Sequence, residues 1–147
     1  MRLQNEDEEE EKKMIDIFIK QTAKGPAWQA AEGCFTLRIS GRDGSAKYDS
    51  KKLQRDRTTA KIISAELLVN AIFVLDIYSK RRGLITSEPV TVHFDNNEAA
   101  VMCESRLRQW KQAGWKNKKG ETLPEQYRIL HEMIRKSNRT FTFTKGD

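Results

Sequence analysis

The sequence predicts an α/β fold, and three observations lead to it. Apolar residues alternate with other residues over Met14–Lys20 and again over Cys34–Ser40, which is typical of half-buried strands. A long segment, Thr59–Tyr78, then carries apolar residues at helical spacing. A short strand, Val90–Phe94, follows that helix. At 147 residues the chain is long enough for one domain with its own core.

Turn residues separate the first three predicted strands. The first strand ends at Lys24-Gly25-Pro26, and Gly41-Arg42-Asp43-Gly44 has the composition of a tight turn. The segment Ser45–Leu53 can return from that turn as the second arm of a hairpin. We therefore expect the first three strands to be antiparallel.

The second half of the chain alternates helices and strands. Apolar residues cover most of the circumference of the Thr59–Tyr78 helix, so other elements must cover it on several sides. Gly83 ends that helix, and Asn96 or Asn97 can cap the next one. The remaining predicted elements are the continuation of that helix to Arg108, a helix from Leu123-Pro124-Glu125 to Arg135, and a strand Thr140–Thr144. The predicted order is β-β-β-α-β-α-α-β.

Charge is distributed unevenly along the chain. The net charge is +6, but Glu6–Glu11 is wholly acidic, and from Lys12 onward 26 basic residues face 15 acidic ones, a net charge of +11. We expect residues 1–13 to be an acidic mobile tail and residues 14–147 to form the domain. A body of this charge attracts polyanions, of which nucleic acid is the commonest inside a cell, and plain solubility is the alternative.

Neither a membrane span nor a secretory signal is predicted. The longest apolar stretch is interrupted by polar residues, and the N-terminus is acidic where a secretory leader is basic and then apolar. Cys34 and Cys103 are too few for a disulfide framework. These features predict a cytoplasmic protein with two reduced thiols and no membrane partner.

Several segments, taken in order, resemble one known family. They are a strand followed by a glycine-proline loop, a helix with an internal glutamate, a strand ending in Asp95, a tryptophan-rich basic segment, and a last strand: Ile15–Ile19 with Gly25-Pro26, Ala65-Glu66-Leu67-Leu68, Val92–Asn97, Gln109–Lys116, and Phe141–Gly146. Together they resemble the type 1 ribonuclease H domain over nearly the whole chain from Met14.

That resemblance implies a five-stranded mixed sheet flanked by helices, and a site where four carboxylates hold two divalent metal ions that cleave the RNA strand of an RNA–DNA hybrid. Two neighbouring dications repel each other, so only dense negative charge can hold them. Glu66 and Asp95 match the second and third carboxylates of the family. Lys20 stands in place of the first. The sequence ends at Asp147, where the family has a His, so the family's final helix and its fourth Asp have no counterpart.

Glu66 needs a partner, because it is the only charged residue between Lys61 and Asp76 on an apolar helix. We expect the Lys20 ammonium to lie between Glu66 and Asp95 as an internal counter-ion, so that no metal is bound. The alternative is a metal held by Glu66 and Asp95.

Other candidates for the site are weaker. Asp16 shares a strand face with Lys20 but lies about 13 Å away, at about 3.3 Å per residue. Asp43-Gly44-Ser45 resembles the family's Asp-Gly-Ser motif, but it leaves too few residues before Glu66 for two further strands. Asp147 can serve as a spare ligand only if the chain terminus is held. His93 is left out of the site as a structural residue.

A basic segment without acidic residues predicts nucleic-acid contact. It corresponds to the family's basic protrusion and contains Arg106, Arg108, Trp110, Lys111, Trp115, Lys116, Lys118 and Lys119. Cations can meet phosphates and the indole rings can stack or pack against sugars. The alternative is that the tryptophans anchor the segment to the core. A second basic run can extend the footprint: Lys51, Lys52, Arg55 and Arg57.

Three functional hypotheses follow. The first is a ribonuclease H-like domain that binds a duplex or an RNA–DNA hybrid, needs no cofactor and is catalytically inactive. The second is an active Mg- or Mn-dependent ribonuclease H that uses Glu66, Asp95 and Asp147. The third is a protein-interaction module with a protein partner. Ile62 and Ile63 precede Glu66 where the family has polar minor-groove contacts, so preference for a hybrid is doubtful.

Overall fold

The computed structural model describes residues 14–23, 29–41, 44–82 and 88–145. The acidic tail, the loop at Lys24-Gly25-Pro26, the turn residues Arg42 and Asp43, Gly83 and Asp147 lie outside them. The strands are β1 (Met14–Ala23), β2 (Gln29–Gly41), β3 (Gly44–Asp49), β4 (Leu53–Thr58), β5 (Val90–Phe94) and β6 (Phe141–Lys145). The helices are α1 (Ala60–Arg82), α2 (Asn97–Val101), α3 (Leu107–Gln112) and α4 (Glu125–Lys136).

The strands form one mixed sheet in the order β3-β2-β1-β5-β6, with β4 also paired to β2. The pairs β1–β2 and β2–β3 are antiparallel, and β1–β5 and β5–β6 are parallel. The predicted α/β fold with three antiparallel strands at its start is therefore confirmed. The carboxyl ends of β1 and β5 lie side by side, which places Lys20 and Asp95 at the same edge of the sheet.

The predicted third strand is divided in two. Ser50 ends β3, because its backbone N–H donates to the Phe35 carbonyl at 2.9 Å while its hydroxyl accepts from the Phe35 N–H at 2.9 Å. The same hydroxyl donates to the Lys51 carbonyl at 3.0 Å, and the chain rejoins β2 only at Leu53. Within the described residues the sheet therefore has six strands, of which β3 and β4 both pair with β2.

Helix α1 packs on β1 and β2 and is the centre of the core. Most of its circumference is buried, as its sequence predicts, because the sheet covers one side and α4 another. Leu67 of the helix lies close to β2 at Gly33. A Cβ atom on Gly33 would lie 2.5 Å from the Lys20 carbonyl oxygen and 2.7 Å from Leu67 Cδ1, so only glycine fits there.

The segment after β5 is one continuous helical run with an irregular centre. Asn96 caps α2, since its side-chain oxygen accepts from the Ala99 N–H at 3.0 Å. A π-helical turn, Met102–Arg106, then leads into α3, so the run reaches Gln112 instead of ending at Arg108. Cys34 and Cys103 are free thiols. In the described part of the chain, no helix has the length and apolarity needed to cross a membrane.

Candidate active site and nucleic-acid interface

Glu66 lies on α1 facing β4 and α4, and both carboxylate oxygens already have donors. The Arg55 Nε donates to Oε2 at 3.0 Å, and the Gln126 amide donates to Oε1 at 3.2 Å. The Glu66 side chain is 18% exposed, whereas the Arg55 side chain is 51% exposed. A half-exposed guanidinium therefore neutralises a mostly buried carboxylate.

We expected the Lys20 ammonium to pair with Glu66 and Asp95, but among the described residues no ion pair joins Lys20 to either carboxylate. Ile17 and Ile19 of β1 are buried, whereas the Lys20 side chain at the end of the strand is exposed. Arg55 supplies the counter-charge that was assigned to Lys20.

Asp95 holds the ends of two strands together. Its carboxylate accepts from the Gln21 N–H at 2.9 Å, and its own N–H donates to the Ile19 carbonyl at 3.3 Å. The residue is exposed, and Asn96, not Asp95, caps the helix that follows. Asp95 therefore has a structural use at the position where the resemblance expects a metal ligand.

The other face of the sheet carries a separate cluster. The His93 Nε2 lies 2.8 Å from Asp16 Oδ1, and the His93 ring stacks on Phe18 with centroids 4.5 Å apart. The Arg38 guanidinium lies 5.4 Å from the centre of the same Phe18 ring. These contacts support the structural interpretation of His93 and show that Asp16 is engaged there.

The residues that the structure describes do not fit a two-metal site. Among residues 14–23, 29–41, 44–82 and 88–145, no group of three His, Cys, Asp or Glu side chains is placed to hold a metal ion. Lys20 puts a positive charge at the end of β1, and Arg55 puts another directly on Glu66. Two dications would have to be held against these two cations, so the donor set is too weak in negative charge.

The basic segment Arg106–Lys119 begins on the helical run and continues through a loop. Helix α3 ends where Gly114 adopts φ +71° and the Trp115 N–H donates to the Trp110 carbonyl at 2.8 Å, the pattern of a helix that closes on a left-handed glycine. The cationic side chains of the segment are all exposed: Arg106, Arg108, Lys111, Lys116, Lys118 and Lys119.

Both tryptophans of the basic segment contact other rings. Trp110 stacks on Tyr127 with centroids 4.8 Å apart, and Trp115 meets His131 edge to face at 5.6 Å. Both are half-buried and pack against the core. Burial also raises the pKa of Tyr127 to about 12. These contacts favour the anchoring interpretation of the two indoles.

Asn117 shapes the loop that carries the last lysines. Its side-chain oxygen accepts from the N–H groups of Lys119 and Glu121, both at 2.9 Å, and the Gly120 N–H donates to the Asn117 carbonyl at 3.0 Å. A bridge between Lys116 and Thr122 closes the loop. The loop is thus an ordered turn that holds its lysines outward.

A cleft separates this loop from β4. It has a volume of about 680 Å³, and Glu66 lies on its wall. Arg55 and Arg57 line one side, and Asn117, Glu121 and Thr122 line the other. Of the second basic run, Arg55 and Arg57 face this cleft, whereas Lys51 and Lys52 do not line it.

Solved structures resemble this arrangement over most of the chain. LC9 RNase H1, a type 1 RNase H with the type 2 active-site motif, matches with a TM-score of 0.65 and 14% identity over 92% of this chain and 64% of its own. LC11 RNase H1 in complex with an RNA/DNA hybrid matches with a TM-score of 0.54 and 17% identity over 89% and 85%. The chain has the RNase H fold.

Another matching solved structure is that of a larger viral protein. The foamy viral protease-reverse transcriptase in complex with an RNA/DNA hybrid matches with a TM-score of 0.59 and 12% identity over 92% of this chain. The chain spans only 18% of that protein and 64% of LC9 RNase H1. No protein-family model and no curated protein matches the sequence.

Sequence reasoning missed the two donors to Glu66. In the sequence, Arg55 stands out only as part of a basic run, and Gln126 lies 60 positions from Glu66, on α4. One signal was available: Arg55 lies in the strand that leads directly into α1, eleven residues before Glu66.

Proposed function

We propose that this RNase H-fold chain binds double-stranded nucleic acid and does not cleave it. The observation that carries the proposal is the exposed, acid-free set of cations along Arg106–Lys119, held in an ordered loop by Asn117 and anchored by Trp110 and Trp115. Lysine and arginine side chains held in this way neutralise phosphates and release counter-ions. Binding should therefore depend steeply on salt.

The cleft beside Glu66 extends the proposed footprint. Its arginines, Arg55 and Arg57, lie across from the loop that bears Lys118 and Lys119. In this arrangement the cations carry the binding, and the two indoles hold the loop in place.

Loss of cleavage is the second part of the proposal. Lys20 replaces an acidic residue, Arg55 and Gln126 occupy Glu66, and Asp95 ties Gln21 to the strand end. A two-metal hydrolysis needs several free carboxylates at one point. The chain supplies positive charge there instead, so we expect no magnesium- or manganese-dependent activity.

The proposed ligand is a duplex without strong preference for a hybrid. LC11 RNase H1 and the foamy viral protein were each solved with an RNA/DNA hybrid, which supports a duplex of this class. However, Ile62 and Ile63 are buried at the start of α1 and offer no polar group to a 2′-hydroxyl. We therefore expect similar affinity for a hybrid and for duplex DNA.

Fluorescence anisotropy with a labelled hybrid tests the binding. The double variant Lys116→Glu with Lys118→Glu should weaken binding by about ten-fold or more and lower the slope of log affinity against log salt by about two. The matched control is Lys80→Glu with Arg81→Glu, which reverses two exposed charges near the far end of α1 and should bind like the parent. Equal weakening by both pairs, or no binding by the parent chain, would refute the proposal.

Incubation of the labelled hybrid with magnesium or manganese tests the loss of cleavage. The parent chain should leave the hybrid intact at concentrations that saturate binding. Lys20→Asp combined with Arg55→Gln removes both cations and is the variant in which cleavage is most readily restored. Metal-dependent cleavage by the parent chain would instead favour the active ribonuclease hypothesis with Glu66 and Asp95.

A further inference from the structure

A second cavity lies where the edge of the sheet is interrupted. It occupies about 360 Å³ between α1 and the gap that separates β3 from β4. The gap arises because Ser50 bonds to Phe35 with both its backbone and its hydroxyl, so the chain leaves the β2 ladder over Ser50–Lys52. Because these residues do not pair with β2, the side of the core is exposed to solvent there.

Six of the ten residues that line this cavity are aliphatic or aromatic, and two of the aromatic ones are unusually exposed. Tyr48 is 48% exposed and Phe73 is 57% exposed. The Tyr48 ring stacks on Phe35 with centroids 5.8 Å apart. The remaining apolar lining comes from Leu53, Leu67 and Val74.

The rim of the cavity is positively charged. Lys51 and Lys52 line it and are exposed, and Lys52 also lies 3.4 Å from Glu32. Of the residues that the structure describes, no Asp or Glu lines this cavity. An apolar pocket beside two ammonium groups complements an apolar side chain that has carboxylates next to it. The charge pattern of the cavity therefore selects an acidic partner.

The lining favours a peptide side chain over a nucleobase. A base must satisfy hydrogen-bonding groups on its edge when it is buried. The uncharged polar groups in the lining are the Tyr48 hydroxyl, the Ser50 hydroxyl, which is already bonded twice, and the Asn70 amide. A leucine or phenylalanine side chain has no such requirement and matches the aliphatic and aromatic walls.

We propose that this cavity is a docking site for an acidic peptide segment of a partner protein, with a leucine or phenylalanine inserted beside Phe73. Phe73 lies seven residues after Glu66 on α1, about 10 Å along the helix axis. The two cavities share no lining residue, so the docking site is distinct from the nucleic-acid cleft. A partner bound there would bring its own activity next to a bound duplex.

A labelled peptide tests the proposal on the full chain. The probe is a fluorescein-labelled octapeptide with a central Leu-Phe pair and three acidic residues on each side. Phe73→Gln should weaken its binding by about ten-fold or more, as removal of a central apolar anchor does. Ile129→Gln is the matched control, because Ile129 is also a large apolar residue, 40% exposed, on α4. Lys51→Gln with Lys52→Gln should weaken binding at low salt and much less at high salt.

Each alternative occupant gives a different result. A peptide with Ser-Ser in place of Leu-Phe that binds equally well would refute the proposed apolar anchor.

Displacement of the peptide by the RNA–DNA hybrid, unaffected by Lys116→Glu with Lys118→Glu, would show that the cavity takes nucleic acid. If changing the acids of Glu6–Glu11 to amides raises peptide affinity about ten-fold or more, the chain's own acidic segment is the occupant and a partner is not needed. Absence of peptide binding would also refute the proposal.

Discussion

An arginine–carboxylate pair lies near each end of helix α1. In the first pair the carboxylate is the more buried partner, and in the second pair the arginine is. Near its start, Glu66 is 18% exposed and its partner Arg55 is 51% exposed. Near its end, the Arg139 side chain is fully buried and its partner Asp76 is 39% exposed. The Arg139 Nη1 donates to Asp76 at 2.6 Å, and its Nη2 donates to Ser79 at 2.9 Å.

The difference separates a structural pair from a replaceable one. A buried guanidinium without its carboxylate has no access to water, so the pair at the end of α1 is needed for the fold. At the start of α1, the arginine is exposed and Gln126 gives Glu66 a second donor. The Glu66 pair therefore changes the chemistry of the site more than it changes stability.

Removal of Asp76 should have the largest effect. Asp76→Ala leaves the buried Arg139 charge without its carboxylate, and the Arg139 Nε has no partner in the described part of the chain. We expect the free energy of unfolding to fall by about 3–5 kcal/mol. Arg139→Leu should cost less, about 1–3 kcal/mol, because water can solvate the half-exposed Asp76. Urea denaturation measures both values, and a larger cost for Arg139→Leu would contradict this asymmetry.

A methyl group at Gly33 should have the next largest effect. Gly33→Ala places a Cβ against the Lys20 carbonyl and Leu67, and overpacking of this kind costs about 1–3 kcal/mol. In a Leu67→Ala background the cost should fall but remain, since the Lys20 oxygen belongs to the backbone. Thermal or urea unfolding checks both variants. A neutral Gly33→Ala would show that both the β1 backbone and α1 can shift at this position.

The Glu66–Arg55 pair should contribute little to stability. A double-mutant cycle of Arg55→Gln and Glu66→Gln should give a coupling energy of about 1 kcal/mol or less, because one partner is half exposed. Arg57→Gln is the matched control, as a neighbouring exposed arginine of β4, and should show no coupling to Glu66. A coupling of about 3 kcal/mol or more would place this pair in the same class as Asp76–Arg139.

Much of the fold was predictable because it depends on local patterns. Alternation over Met14–Lys20 and Cys34–Ser40, and the apolar circumference of Thr59–Tyr78, are visible in the sequence and are confirmed. The division of the edge strand was not predictable, because it depends on one serine that bonds to Phe35 across the sheet. A hydroxyl of this kind looks the same in a strand, a turn or a loop.

The sequence shows that Glu66 needs a hydrogen-bonding or charged partner, but it does not show which residue that partner is. Burial of Glu66 on an apolar helix required a donor, and one is present. Lys20 was the expected partner, but its side chain is exposed and the cation on Glu66 is Arg55. Arg55 and Gln126 come from β4 and α4, whose positions relative to α1 are set by packing and cannot be read from spacing.

His131 should give the smallest effect, visible only with changing pH. Burial, with help from Lys111 and Arg135, lowers the pKa of His131 below its usual range, while Glu132 acts in the opposite direction. The folded chain therefore takes up this proton less readily than the unfolded chain. Stability from this group is complete above the unfolded pKa of about 6.5 and is lost as the pH falls toward the lowered value.

Melting temperatures of the parent chain and His131→Gln, measured between about pH 5 and pH 8, isolate this effect from the titration of the carboxylates. The difference between the two curves should be constant above about pH 6.5 and should shift in favour of the variant below it. A difference that stays constant over the whole range would contradict the lowered pKa. In that case Trp115 and His131 would contribute to the loop only by packing, and their edge-to-face contact would hold it equally at any pH.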